Sequence, residues 1–352
     1  MIKISKNLIF SSKDRPKIIA EISGNHNGKV KNLLNLIKVA KKNGADLVKI
    51  QTYEPEDITH KLVNYKIKDG PWKKKTLYEL YKKNCTPYNW HEKIFSFAKK
   101  INIELFSTPF SLSGVKLLEK FNVKLYKLSS FEITDVNLIT AIAKTKKPII
   151  ISTGMSKLSE IKNALKIINK YHKKVIILHC VSGYPTPIHE ANIKNILFLK
   201  KNFPNYLIGL SDHTDDIYSS LASIPLGCSV IEKHFKSSNN IITDDTKFSI
   251  NPGKLKNLRE YSEKVFLSLG SKKKKLTSSE KLSLKFRRSI YAKRDIPKNK
   301  KIVTHDICSL RPKIGICASN YYKLLNKKTV RLVKKGEPLK WQYLEQKKNI
   351  SN

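Results

Sequence analysis

Apolar positions along the chain fall into two alternating textures. Short, nearly continuous apolar runs that end in polar residues recur at 17–23, 46–52, 103–108, 124–130, 148–153, 175–182, 206–212 and 229–234. Their length and β-branched content predict strands, and their unbroken apolar character predicts burial on both faces of a parallel sheet. Between them, apolar residues recur with helical period over 31–43, 89–100, 113–121, 138–144, 158–170, 192–202 and 216–226, and an eighth such segment covers 255–269. Eight strand–helix alternations predict an α/β chain closed into a (β/α)8 TIM barrel rather than an open doubly wound sheet. No G-x-G-x-x-G follows the first strand and no G-x-x-x-x-G-K-[ST] occurs, so nucleotide-cradling loops are not expected.

Two connections are longer than usual, 53–88 and 235–252. Long loops after barrel strands are either walls of a substrate site or packed surface excursions. The barrel texture ends near Gly270, which sets a catalytic domain at 1–270. A Lys/Ser-rich stretch at 271–285 predicts a linker. A small β-rich domain is expected at 286–352, with a weak internal repeat: Arg294-Asp295-Ile296-Pro297-Lys298 is echoed by Leu332-Val333-Lys334-Lys335-Gly336.

Composition narrows the classes. With 40% hydrophobic residues in 352, the chain buries more than one small core and is not disordered. No apolar run approaches the ~18 residues of a membrane span, and the first residues lack a signal-peptide core, so a cytoplasmic protein without a membrane partner is expected. Five cysteines without a C-x-x-C are expected as reduced thiols. The net charge of +41 raises nucleic acid as a partner. Only seven of the 69 basic residues are Arg, however, and the lysines are scattered rather than gathered in a stripe. Lys, Asn and Ile in excess together are what a genome short of G and C imposes, so no nucleic-acid partner is expected.

In a barrel of this kind the reaction site lies at the C-terminal strand ends. Read in order, those ends carry Glu21; Lys49 and Gln51; Thr108; Lys127, Ser130 and Glu132; Ser152; Ser182 and Tyr184; Ser211 and His213; and His234. Such groups are costly to desolvate, and their convergence on one funnel is the sign of a site. Lys49 and Lys127 suit an anion, and Thr108, Ser130, Ser152, Ser182 and Ser211 are either hydrogen-bond donors to it or ordinary turn residues. His213 and His234 end adjacent strands. Either both hold a divalent ion of the Mn2+, Mg2+ or Co2+ kind, or one is a core residue and the other a general acid. Glu21 and Glu132 are candidates for catalytic proton transfer, with a salt-bridged glutamate as the ordinary alternative.

These strand ends resemble those of the sialic acid synthase family. The resemblance rests on Ala20-Glu21-Ile22-Ser23-Gly24-Asn25-His26-Asn27-Gly28, Val48-Lys49-Ile50-Gln51-Thr52, Ser152-Thr153-Gly154-Met155, Leu210-Ser211-Asp212-His213-Thr214 and Ile231-Glu232-Lys233-His234-Phe235. Phe286-Arg287-Arg288-Ser289-Ile290-Tyr291 and Leu310-Arg311-Pro312 resemble the family's antifreeze-like (SAF) domain. Within the family, Gly70-Pro71-Trp72-Lys73, Thr76-Leu77-Tyr78-Glu79-Leu80-Tyr81, Lys127-Leu128-Ser129-Ser130-Phe131-Glu132 and Phe248-Ser249-Ile250 are similar to the pseudaminic acid branch.

The resemblance implies a transferase that condenses phosphoenolpyruvate with 2,4-diacetamido-2,4,6-trideoxy-L-altrose; the alternative is an N-acetylneuraminate or legionaminate synthase acting on another open-chain amino sugar. By similarity His213 and His234 hold the metal. Lys49, Thr108, Lys127, Ser130, Ser152, Ser182 and Ser211 surround phosphoenolpyruvate, while Glu21, Gln51, Glu132, Tyr184 and Asp245 face the sugar. Arg311 would reach into the partner's barrel in a homodimer whose SAF domains complete the sites. Two positions depart from the pattern. Ser182 replaces the asparagine of sialic acid synthases, and Lys313 replaces the usual glycine after Arg311-Pro312.

Overall fold

The computed structural model describes residues 1–346 apart from Asn7, Asn64, Pro71 and Lys272; the end of the expected small domain, 347–352, and Pro71 of the Gly-Pro-Trp motif lie outside the described residues. The chain divides into two compact units between Gly270 and Ser271.

The first unit opens with a short antiparallel hairpin, β1 (Ile2–Lys3) and β2 (Ile9–Phe10). Eight parallel strands follow: β3 (Lys17–Glu21), β4 (Leu47–Thr52), β5 (Glu104–Pro109), β6 (Tyr126–Leu128), β7 (Ile149–Ser152), β8 (Val175–Cys180), β9 (Leu207–Asp212) and β10 (Val230–His234). They pair in sequence order, and β10 returns to β3 to close the barrel.

Side-chain parity explains why the barrel is filled at one end and chemical at the other. Ile18, Ala20, Val48, Ile50, Tyr126, Ile149, Ile151, Ile177, Leu210 and Ile231 point outward into the core shared with the helices. Their neighbours Ile19, Leu47, Phe106, Leu125, Ile150, Ile176, Leu178 and Val230 point inward and fill the N-terminal end, where Leu8 and Phe10 of the hairpin cap them. Burying one such Leu, Ile or Phe contributes about 1.5–3 kcal/mol. Two residues further along the same strands, on the same face, the side chains become Glu21, Lys49, Thr108, Lys127, Ser152, Cys180, Ser211 and Glu232.

The helices are amphipathic, as their spacing predicts, but several are shorter. The segment expected at 216–226 is helical only over Tyr218–Ser223, and the one at 192–202 only over Asn195–Asn202. Ahead of Tyr218, the Thr214 hydroxyl donates to Asp212 and the Asp216 carboxylate accepts from the Ile217 N–H. These local bonds hold a turn in place of further helix, as short polar side chains do. The long 53–88 connection holds a helix of its own, Leu77–Asn84, started by a Thr76–Glu79 capping box.

The second unit has its own core of Ile290, Ile296, Ile302, Ile307, Ile316, Leu324, Val333, Leu339 and Leu344. Strands β11 (Ser289–Ala292) and β12 (Ile307–Leu310) pair antiparallel. The two echoed segments meet: Ile296 and Val333 exchange backbone hydrogen bonds of 2.8 and 3.0 Å. Within the stretch expected as a linker, Ser278–Ser283 is helical. Thr277 and Glu280 form a second capping box there, a start signal that a Lys/Ser-rich composition masks.

Candidate active site

Strand register puts the inward polar residues level with one another. His234 of β10 is level with Glu21 of β3, which is level with Lys49 of β4. Gln51 is level with Thr108, Cys180 with Ser211, and Ser211 with Glu232. A ring of ionisable groups therefore follows from parity and register alone.

Within that ring two lysines and two glutamates form a box. Lys49 makes an ion pair with Glu21 and lies 3.9 Å from Glu232. Lys127 donates to Glu232 Oε1 at 3.1 Å, and Ser211 donates to the same oxygen at 3.2 Å. Lys49 also donates to Thr108 Oγ1 at 3.2 Å. Each of the four charged residues is at most 4% exposed, so none is neutralised by water. Burial pushes Glu232 up, but Lys127 and Lys49 pull it further down, and it is held as a carboxylate. Burial pushes Glu21 up, against the pull of Lys49, and the net shift is upward. For Lys49 burial acts downward, but Glu21 and Glu232 outweigh it and keep it charged. Two carboxyls in one box are thus driven apart, which is how acid and base roles are separated.

The box is incompletely satisfied. Glu21 Oε1, Glu232 Oε2, Ser152 Oγ and His234 Nδ1 are buried without a hydrogen-bond partner among the described residues. Above Lys127 the hydroxyls crowd together. The Gly154 N–H donates to Ser130 Oγ at 3.0 Å, and a Cβ on Gly154 would collide with Ser182 Oγ. Only glycine allows these two hydroxyls to share that corner.

The imidazoles of His213 and His234 stand with centroids 5.3 Å apart. His213 Nδ1 donates to the Val181 carbonyl at 2.8 Å, so Nε2 is the nitrogen that would bind a ligand once the ring is neutral. Burial acts downward on this imidazole, but Cys180 and the Val181 carbonyl outweigh it and shift the ring upward, so a metal would have to displace its proton. Burial, then His213 and Lys49, hold His234 neutral, well below the usual histidine range. Two buried imidazoles, one fixed in tautomer and one with an orphaned nitrogen, fit a borderline divalent cation that keeps open positions. Among the described residues, no group of three or more His, Cys, Asp or Glu converges to hold a metal, so this pair would need ligands from solvent or substrate.

Tyr184 lies 4.3 Å from His213, ring centroid to ring centroid, with Phe248 at 5.1 Å and Trp72 at 5.4 Å on its other sides. Trp72 and Phe248 come from the two long connections, which therefore contribute walls to the site. Asp245 accepts from Ser23 Oγ at 2.6 Å and from the Gly24 N–H at 2.9 Å, pinning the turn after β3. Gln51 is half-buried one inward position above Lys49. Glu132 lies in the turn after β6, bonded to Ser129, and is not paired with the box. Burial, opposed by Lys127, raises its carboxyl to about 7. Arg311 belongs to the second unit, where it lines an exposed concavity of 420 Å³ with Arg287, Arg288 and Phe286.

Two members of the ring were not singled out from the sequence. Glu232 organises three of its donors, and its spacing two residues before His234 is the signal that places it on the same face. Cys180 lies 3.8 Å from His213 Nδ1; burial alone would push its thiol up, but His213 pulls it down to about 7.

Comparison with known proteins agrees with the fold, a barrel followed by a small second domain. Residues 36–274 match the NeuB family, and residues 287–345 match the SAF domain. The chain belongs to the NeuB family. It is 38% identical to the pseudaminic acid synthase of Campylobacter jejuni, over 94% of this chain and 97% of that one. It is 36% identical to the N,N'-diacetyllegionaminic acid synthase of the same organism, over 91% and 97%. Among solved structures, the N-acetylneuraminic acid synthetase of Leptospira borgpetersenii in complex with citrate superposes with a TM-score of 0.73 at 27% identity, covering 81% of this chain and 95% of that one. The NeuB match spans most of the barrel, including all of the ring except Glu21.

Proposed function

We propose that the barrel condenses phosphoenolpyruvate with open-chain 2,4-diacetamido-2,4,6-trideoxy-L-altrose and water, releasing pseudaminic acid and phosphate. The carrying observation is the buried Lys49–Glu21–Glu232–Lys127 box directly beside His213 and His234. The pseudaminic acid synthases, 36–38% identical over nearly all of the chain, support the choice of sugar, as do the Gly70–Tyr81 and Lys127–Glu132 motifs.

The carboxylate and phosphate of phosphoenolpyruvate bring the negative charge that Lys49 and Lys127 now share with the glutamates. Thr108, Ser130, Ser152, Ser182 and Ser211 add hydroxyl donors around the anion. Carbon C3 of the enol ester bonds to the sugar aldehyde carbon. Water adds at C2, and the tetrahedral adduct loses phosphate by C–O cleavage. Glu21 is the proposed proton-transfer group, since its carboxyl is already pushed upward and loses its counterion when the anion claims Lys49. Glu132 is the second candidate. His213 and His234 would hold a Mn2+, Mg2+ or Co2+ ion, which when bound polarises the aldehyde. Gln51, Tyr184 and Asp245 line the sugar side.

Exposed apolar side chains follow the barrel strands at the C-terminal rim: Leu112, Phe131, Met155 and Ile188. They suit cover by the SAF domain of a second copy, whose Arg311 then faces the sugar, and the proposed assembly is a homodimer of this cytoplasmic enzyme. Among the described residues no helix is long and apolar enough to cross a membrane.

The test is phosphate release with phosphoenolpyruvate, Mn2+ and three sugars in parallel: the altrose, the legionaminic acid precursor and N-acetylmannosamine. Release that is fastest with the altrose, with slower turnover of the other sugars, supports the proposal. Release only with another sugar moves the activity to that synthase, and undiminished activity in chelator refutes the metal.

A further inference from the structure

Trp72 sits in the insertion between β4 and β5, away from every strand end. Its ring is half-buried, yet its Nε1 is shut away from solvent and has no hydrogen-bond partner among the described residues. Buried N–H groups without an acceptor are rare in folded proteins, and each one asks what completes it. Here the surroundings narrow the answer. The Trp72 ring packs on Tyr184 at 5.4 Å and on Phe248 at 6.3 Å. Those two rings in turn pack on His213 at 4.3 Å and His234 at 4.9 Å. Trp72 is therefore one ring layer beyond the imidazoles.

An open-chain sugar whose aldehyde carbon meets the enol ester beside the imidazoles extends its remaining carbons along this wall. A donor with no acceptor, one layer out, meets the substituent three carbons from the aldehyde. We propose that Trp72 selects the sugar at C4: its indole N–H donates to the carbonyl oxygen of a C4 acetamido group, and the Trp72, Tyr184 and Phe248 faces hold the apolar acetamido and C6 methyl groups. An amide oxygen is a strong acceptor that points away from the sugar chain. A C4 hydroxyl is shorter and does not span the same distance. This inference rests on the diacetamido sugar proposed above and names the residue that distinguishes it from a monoacetamido one.

The experiment compares the wild-type full-length protein with Trp72→Phe and Trp72→Ala. For each, kcat/KM is measured on the diacetamido altrose and on N-acetylmannosamine, with KM for phosphoenolpyruvate as a control. Trp72→Phe keeps the ring and removes the N–H, so kcat/KM for the diacetamido sugar falls about tenfold or more, while that for N-acetylmannosamine stays within about twofold. Trp72→Ala narrows the ratio further, and KM for phosphoenolpyruvate is unchanged in both. An unchanged ratio in both variants overturns the proposal, as does an equal loss on both sugars. A wild-type enzyme that prefers N-acetylmannosamine overturns the underlying function itself. That outcome is read before any variant is made, so the two failures are distinct.

Discussion

The two faces of β9 and β10 carry buried polar groups one residue apart, and the two sets have opposite characters. Inside the barrel, Ser211 and Glu232 belong to a box in which Glu21 Oε1, Glu232 Oε2 and Ser152 Oγ are left over. Outside, under the helices, Asp212 and Lys233 form an ion pair of 3.2 Å, both almost wholly buried. Both oxygens of Asp212 are used: Oδ1 accepts from the Thr214 N–H and Oγ1, and Oδ2 from Ser220. Lys233 also holds Thr214 through its backbone carbonyl and hydroxyl. The outer pair is saturated and clamps the strand ends on which His213 and His234 stand. The inner set is unsaturated and waits for a ligand. Buried charge alone does not mark a site; buried charge with unused hydrogen-bonding capacity does.

The sharpest way to break this contrast is Glu21→Gln. On the account above it lowers kcat by about 10²–10⁴, while Glu232 at 3.9 Å remains as counterion to Lys49 and keeps the loss of stability smaller than that of Lys233→Met. A variant that melts early but turns over normally would reverse the two faces. The converse change, Lys233→Met, strands Asp212 without its partner. It should cost about 3–5 kcal/mol of unfolding free energy by denaturant titration. It should also weaken Mn2+ binding by the apo protein, measured by paramagnetic resonance.

Glu132, in the turn after β6, tests the rim of the site by pH. Its carboxyl is raised to about 7 in the folded protein, from 4.5. The folded state therefore binds the proton more tightly, and the associated stability is present below about pH 4.5 and lost as pH rises through 7. Glu132→Gln mimics the protonated form. It should match the wild type near pH 5 and exceed it near pH 8 by up to about 3 kcal/mol, with equal stability at both pH values as the contrary result. The smallest expected effect is in the second unit. Thr277→Ala removes the cap of the short helix and should cost about 1 kcal/mol of that unit's stability, read from its own melting transition.

Much of this was legible in the sequence for a physical reason. Strand and helix periods differ, so eight alternations specify a barrel, and parity carries an apolar floor into a polar mouth along each strand. Lys49, Lys127, His213 and His234 are legible because costly groups recur at the strand ends. Their pairing was not legible. Glu232 and Lys233 are neighbours in the chain; strand parity puts Glu232 on the face of His234, but only register shows which residues of the neighbouring strands each one meets. Trp72 reaches the site from a long connection, where no period fixes a direction. The Ser278–Ser283 helix is set by one capping box inside a polar stretch, a signal that composition outweighs.

The most direct measurement follows the bridging oxygen of phosphoenolpyruvate. With that atom carrying ¹⁸O, the enzyme and the diacetamido altrose should yield labelled phosphate together with a product of the mass of pseudaminic acid. Unlabelled phosphate, or none with any of the three sugars, would contradict the chemistry assigned to the mouth of the barrel.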